Sequence, residues 1–335
     1  MNSSKTANAM LGRNGANLVA LVPKTLSDGA TALVEAMNLN SIEQTRRRGR
    51  AVIIKKRNFI GEKLAKLANS YFATAGLQLR FLEDAKDFQR REVASYNLLN
   101  GDKFRAVPVG DRGVIEDKLP GRSIWDHMKR GTLTRAMIVA AAKELRRAHQ
   151  LKSADFRDYW SHGDASTPNA IYDEKSKRVR WIDFEIIHDK SLSATARHAI
   201  DVRVFLMDMV GQMSLRRWLS FALCFITAYG DGDVTVEMRK RLTLPGGLAW
   251  VWWEVRSNFT APGRIKQRLA KLRDAISRLK IYRSAAVRAR HKRRPSIHCQ
   301  RIRPGTPKLS SRTRATRERA KAASPGIPRS LPITR

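Results

Sequence analysis

Two short stretches constrain this chain more than any others: HGDASTPN at 162–169 and IDFE at 182–185. The first sets a histidine, an aspartate and an asparagine beside a Gly and a Pro, residues that punctuate regular structure. The second places one aspartate inside the apolar run RVRWIDFE, which reads as a half-buried strand. Two readings fit. In one, Pro168-Asn169 shapes a turn before a hairpin and Asp183 caps a neighbouring group. In the other, Asn169 and Asp183 offer oxygens to a magnesium ion, which takes one or two carboxylates and is completed by phosphate and water. Asp164 then orients an acceptor hydroxyl and receives its proton, while His162 braces the loop by hydrogen bonding.

The remaining residues must build a frame for either reading. With 335 residues, 42% of them apolar, the chain can form one large domain or two joined at a cleft, plus a tail. Its formal charge of +35 attracts nucleic acid, anionic lipid head groups and acidic glycolipids without choosing among them. The excess is uneven: from Ala261 to Arg335 there are 23 Lys or Arg and two acids, Asp274 and Glu318. Cys224 and Cys299 lie far apart, which argues against a disulfide scaffold and gives no redox or metal spacing. The most apolar run, WLSFALCFITAY at 218–229, is shorter than the about 20 residues of a bilayer span and reads as a buried helix. The N-terminus carries no apolar segment with a cleavage site, so no secretory signal is read.

Along the chain, 1–16 reads as a flexible N-terminus, and NLVALV (17–22) and TALVEAM (31–37) as short strands. RRRGRAVIIKKRN (46–58) reads as a basic loop entering a strong strand. Helical spacing follows over 60–75 and 84–100, then a strand over 112–121 that ends at Pro-Gly. A helix over 133–151, capped by Thr132 or Thr134, opens a more helical region. AIYD and RVRWIDFE make two strands joined by DEKSK. Helices follow over 194–211 and on to 229, with a tight turn at GDGD and an aromatic core segment, LAWVWWEV, at 248–255. Residues 265–294 read as a basic amphipathic helix, able to lie on a membrane or to pack on the protein. The Pro, Ser, Thr and Arg of 295–335 read as a disordered basic tail.

HGDASTPN followed by IDFE, in that order and spacing, resembles the catalytic core of the protein-kinase-like superfamily. The resemblance is to its non-protein branch, with lipopolysaccharide core (Kdo/heptose) kinases and aminoglycoside phosphotransferases. It covers roughly residues 17–230. It implies an α+β, bilobal protein-kinase-like fold: a small antiparallel-sheet lobe over 17–118 that binds nucleotide, and a larger helical lobe over 119–294. It implies that Asp164 is the catalytic aspartate and that Asn169 and Asp183 are metal ligands, with ATP and Mg2+ as cofactors. VIIK at 52–55 resembles the lysine strand of kinases, so Lys55 would contact the phosphates and Glu92 of the following helix would pair with it. VIEDKLPG at 114–121 resembles the strand and hinge between lobes, where backbone near Glu116, Asp117 and Lys118 would bond the adenine edge. Asp201 matches an aspartate that anchors the catalytic loop.

Two departures stand out. No Gly-x-Gly-x-x-Gly precedes Lys55, leaving LSDG (26–29) as a looser substitute, and Glu185 stands where kinases carry glycine after Asp-Phe. The layout, with Glu92 37 positions after Lys55, resembles the lipopolysaccharide core kinases. The acceptor implied is a sugar or an anionic glycolipid, at a cytoplasmic location or on the inner face of the membrane, with peripheral contact to anionic lipid. Two alternatives stay open: a kinase for another small molecule or a protein, and a non-enzymatic protein of kinase fold that binds nucleic acid through its basic tail.

Overall fold

The computed structural model describes residues 39–153, 158–257 and 260–279. The chain divides into two units, Met1–Arg293 and Arg294–Arg335, and all described residues belong to the first. The strands expected at 17–22 and 31–37, the LSDG segment, the flexible N-terminus and the basic tail lie outside the described residues.

The first element is a hairpin. β1 (Asn40–Arg47) pairs antiparallel with β2 (Arg50–Arg57), Arg47 opposite Arg50. The expected basic loop is therefore mostly strand. Its turn is only Arg48-Gly49, both at positive φ (48° and 77°), the combination a two-residue hairpin turn with right-handed twist requires. β1 was illegible because nearly all its side chains are exposed, so it lacks an apolar alternation.

α1 (Phe59–Thr74), capped by Asn58, buries Gly61, Ala65, Ala68 and Phe72. A short β3 (Leu79–Phe81) leads to α2 (Ala85–Asn100), where Asp84 accepts from the N–H groups of Lys86 and Asp87. β4 (Ala106–Val109) and β5 (Gly113–Asp117) complete a four-stranded antiparallel sheet of order β1-β2-β5-β4. Sheet plus α2 make the small lobe.

After Pro120-Gly121 the chain crosses to the other lobe. Gly121 has φ 100°, and a Cβ there would stand 2.0 Å from the Tyr172 carbonyl oxygen, so the crossing needs glycine. β6 (Arg122–Ser123), α3 (Ile124–Lys129) and α4 (Arg135–Ala148) follow, with Thr134 capping α4. β7 (Lys152–Ser153) pairs with β8 (Asp158–Tyr159). β9 (Ala170–Asp173) and β10 (Arg178–Trp181) form the expected hairpin, flanked by β6. IDFE then leaves the sheet as irregular chain, and β11 (Ile186–His188) pairs back with β3 of the small lobe.

The helices α5 (Ala194–Asp208), α6 (Leu215–Tyr229), α7 (Gly232–Lys240), α8 (Leu248–Arg256) and α9 (Pro262–Arg278) complete the large lobe. α6 buries Trp218, Phe221, Phe225 and Tyr229, as expected of a core helix. The GDGD turn is the left-handed Gly230 that ends α6 and the Asp231 cap that starts α7. In α9 the apolar members Ile265, Leu269, Leu272 and Ile276 are 0–2% exposed, so this stretch packs on the protein and does not offer them to a membrane. Among the described residues no helix is long and apolar enough to cross a membrane.

One link between lobes was not anticipated. The ring of Phe72 on α1 meets Trp252 on α8 edge-on at 4.9 Å, and the Tyr71 hydroxyl donates to the Leu248 carbonyl at 2.5 Å. The helix inserted between Lys55 and Glu92 thus rests on the C-terminal tryptophan segment.

Candidate active site

Lys55 points inward from β2 and is 5% exposed. Its Nζ lies 2.5 Å from Glu92 Oε1, 3.3 Å from Glu116 Oε1 and 3.9 Å from Asp183 Oδ1. Burial opposes the ammonium charge, but Glu116, Glu92 and Asp183 outweigh it and hold Lys55 well above the usual lysine range. Glu92 is fully buried. Its second oxygen accepts from the Phe184 N–H at 2.8 Å, so one carboxylate joins the lysine strand to the backbone of IDFE. It does not pair with its neighbours: Arg90 bonds Asp87, and Arg91 donates to the Phe184 and Ser161 carbonyls.

Asp183 sits at φ 69°, a left-handed conformation rare for non-glycine residues and worth about 1–3 kcal/mol of strain. The hydrogen bonds on either side over-determine it: Ile182 N–H to the Asn169 carbonyl at 3.0 Å, and Phe184 N–H to Glu92. Its carboxyl is pushed up to about 6, first by lost solvation and then by Glu92 and Asp164, with Lys55 opposing. Since 37% of the side chain still faces the cleft, water screens part of this push.

The HGD segment is held from beneath. Asp201 on α5, 0% exposed, accepts from the N–H groups of His162 (2.8 Å) and Gly163 (3.0 Å) and from the rings of His149 and His188, each at 3.0 Å. Gly163 has φ 90°, and a Cβ would stand 2.2 Å from the Ile186 carbonyl oxygen. His162 is buried edge-on against Trp160 and Trp181, and its Nδ1 accepts from the Asp164 N–H at 3.3 Å. Burial drives its ring down to about 4, which suits a brace and not a proton carrier. At the far end Asp208 accepts from the Thr167 N–H at 2.7 Å. Burial pushes that carboxyl up to about 7 against the pull of Arg256.

Asn169 donates through Nδ2 to the Asp164 carbonyl (3.1 Å) and to Asp164 Oδ2 (3.2 Å), which leaves its Oδ1 as the oxygen available to a cation. Asp164 Oδ1 is buried against the guanidinium of Arg256, whose Nη1 stands 2.6 Å away as its ion partner. Lys55, Glu92, Asp164, Asn169 and Asp183 are thus gathered in one place. Among the described residues no three His, Cys, Asp or Glu side chains form a metal cage. The donor set present, one carboxylate and one amide oxygen near a buried lysine, fits a magnesium ion completed by phosphate and water.

Around the expected hinge, several groups of Glu116, Asp117 and Lys118 are engaged within the protein. Glu116 turns its carboxylate to Lys55, and its backbone lies inside the ladder between β2 and β4. The Asp117 and Lys118 N–H groups donate to the carbonyls of Arg105 (2.8 Å) and Ala51 (2.9 Å), and the Asp117 carbonyl accepts the Tyr96 hydroxyl. Lys118 Nζ reaches Gln44 at 2.9 Å. These groups already have protein partners. Glu185, the odd residue of IDFE, accepts from Arg57 Nη2 at 2.9 Å and from Asn40 Nδ2 at 2.8 Å, clamping the segment to the small lobe. Sequence reading missed the partners of Glu185, Arg57 and Asn40, and it missed Asp208 and Arg256 altogether. A helix-end arginine after LAWVWWEV carries no signal that distinguishes it from a solvated one.

The fold is α+β and bilobal, of protein-kinase-like layout: a small antiparallel-sheet lobe supplying the lysine and its glutamate, and a larger helical lobe supplying HGD and IDFE. No family model matches the sequence, and no curated protein matches it. Among solved structures, the chain is similar to ethanolamine kinase of Plasmodium vivax, at 12% identity and a TM-score of 0.37 over 74% of this chain and 84% of that one. It is also similar to a Mycobacterium tuberculosis protein solved in complex with erythromycin, at 12% identity and a TM-score of 0.34 over 82% and 94%. At that degree of likeness neither speaks to the chemistry of this chain.

Proposed function

We propose that this chain is an ATP- and Mg2+-dependent phosphotransferase acting on a hydroxyl of a sugar or an anionic glycolipid. The observation that carries the reading is the chain of contacts Asp183–Lys55–Glu92–Phe184, which ties a strained acidic residue to a buried, charged amine across two lobes. In it Lys55 binds phosphate oxygens of the donor, Glu92 orients Lys55, and Asn169 and Asp183 hold the metal. Mg2+ would neutralise charge building between the β- and γ-phosphate oxygens. Asp164 takes the proton of the acceptor hydroxyl as that oxygen bonds to phosphorus and the bond to the donor's bridging oxygen breaks. With the N–H groups of Asp117 and Lys118 engaged, and Pro120 lacking one, the adenine edge falls to the main chain of Leu119. Ile42 opposes Lys55 in the sheet and is 65% exposed, which suits it to lie against the adenine face.

The net charge of +35 supports an anionic partner and a place on the inner membrane face. The same charge favours the second reading, a kinase-fold protein that binds nucleic acid through its basic tail. The two separate by experiment. Magnesium-dependent ATP turnover should fall at least a hundredfold in Asp164→Ala and Asp183→Ala. Undiminished turnover in both variants defeats the enzyme reading. No turnover together with salt-sensitive retention on nucleic acid favours the alternative. Transfer from labelled ATP onto extracted glycolipids, sugars and proteins in parallel identifies the acceptor.

A further inference from the structure

Two buried side-chain donors on α8 lack hydrogen-bond partners, Arg256 Nε and Trp252 Nε1. Arg256 and Trp252 are one turn apart on α8, and the Arg256 guanidinium lies 4.4 Å over the Trp252 ring. Arg256 Nη1 stands 2.6 Å from Asp164 Oδ1 and 3.8 Å from Asp208 Oδ1, and its side chain is 8% exposed. Leaving even one such atom unsatisfied is costly, so two donors one turn apart mark a place shaped for a polar ligand. Asp164, with 18% of its side chain exposed, is where that place opens to the cleft.

The atoms specify the ligand. Both are donors, one of them on a guanidinium, suited to a carboxylate or phosphate oxygen. We propose that Arg256, with Trp252, recognises a negatively charged group on the phosphoryl acceptor, next to the hydroxyl that faces Asp164. This rests on the phosphotransfer reading and deepens it: the acceptor is a hydroxylated anion. An amine-bearing acceptor would meet the guanidinium and leave both donors unsatisfied, a mismatch that discriminates strongly in sites built for hydrogen bonding. As the anion arrives, it takes the place of Asp164 on the guanidinium, and Asp164 is left to the hydroxyl.

The test uses the full chain with Mg2+ and a non-hydrolysable ATP analogue, titrated calorimetrically with glucuronate and, at the same ionic strength, with glucosamine. Glucuronate is expected to bind at least tenfold more tightly than glucosamine, and Arg256→Gln to erase that preference. Because Arg256→Gln leaves Asp164 and Asp208 without their cation and can impair folding, Trp252→Phe is measured too. It keeps an aromatic ring against Phe72 and under Arg256, removes the indole N–H donor together with part of the ring system, and is expected to weaken glucuronate several-fold. Equal binding of the two sugars, tighter glucosamine, no binding of either, or unchanged preference in Arg256→Gln overturns the inference. Turnover settles the parent reading separately. Glucuronate bound through Arg256 without ATP turnover defeats phosphotransfer and leaves an anion site. Turnover abolished in Asp164→Asn, with glucosamine bound as well as glucuronate, defeats the anion site and leaves phosphotransfer.

Discussion

The carboxylate of Asp201 receives the N–H of Gly163 at 3.0 Å across 38 residues of chain. The bond ties the base of the large lobe to the residue before Asp164, and three further donors share the same carboxylate. They hold Asp201 well below the usual aspartate range although burial pulls it the other way. Asp201→Asn replaces one acceptor oxygen with a donor facing N–H groups. We expect a loss of about 3–5 kcal/mol, the range for breaking a buried charged cluster, read by urea denaturation, with turnover falling as the HGD loop loses its anchor.

His162 should make the fold acid-sensitive. Its folded pKa, about 4, lies below the unfolded value near 6.5. The unfolded chain therefore binds the proton first, and the stability this group contributes at neutral pH is lost as pH falls from 6.5 to 4. For so buried a ring that amounts to about 3 kcal/mol. His198 and His149, lowered by the same desolvation, add in the same direction. Denaturation midpoints should drop between pH 7 and 5. His162→Phe, which fits among Trp160, Trp181 and Phe184, should flatten that drop. An unchanged slope in the variant would count against the assignment.

The Glu185–Arg57 clamp predicts a pair of unequal variants. Arg57 is 1% exposed and stacks over Phe88 at 4.5 Å. Glu185→Ala strands that cation and should cost about 3–5 kcal/mol. Glu185→Gln can still accept from both partners and should cost about 1 kcal/mol. Burial, then the charge of Asp183, lifts Glu185 to about 8 against the pull of Arg57. A raised carboxyl gives stability that is complete below its unfolded pKa and is lost as pH rises through 8. The advantage of wild type over Glu185→Gln should therefore shrink as pH rises toward 8 and level off above it, as thermal melts would register.

What the sequence made legible follows from periodicity and order. α1, α2, α4 and α6 announced themselves through apolar spacing, and Lys55 and Glu92 through their order before HGD and IDFE. β1 stayed hidden because its exposed face carries no alternation. Glu116 was read for its backbone, whereas register turns its side chain to Lys55: Val114 opposes Lys55 across β2 and β5, and side chains two apart share a face. Arg256 was invisible because its meaning comes from Asp164, far away in sequence, and only the folded chain sets the two side by side.

Lys55 offsets a crowd of acids, and its removal should show in stability before activity is considered. Glu92 and Glu116 are 0% and 2% exposed, and Glu116 already lies well above the usual glutamate range through burial, with Glu92 adding and Lys55 opposing. Lys55→Met keeps a long side chain but deletes the charge, so the acids must either ionise unpaired or take up protons. At pH 8 the variant should lose about 3–5 kcal/mol. With Glu116 raised further, the folded state binds a proton that the unfolded state releases, so the deficit should shrink as pH falls toward 5. Urea denaturation of wild type and Lys55→Met at pH 8, 6.5 and 5 measures the difference. A deficit that stays constant with pH would mean that the acids are neutralised by another route, with Arg57 the nearest candidate through its own interaction with Glu92 and Asp183.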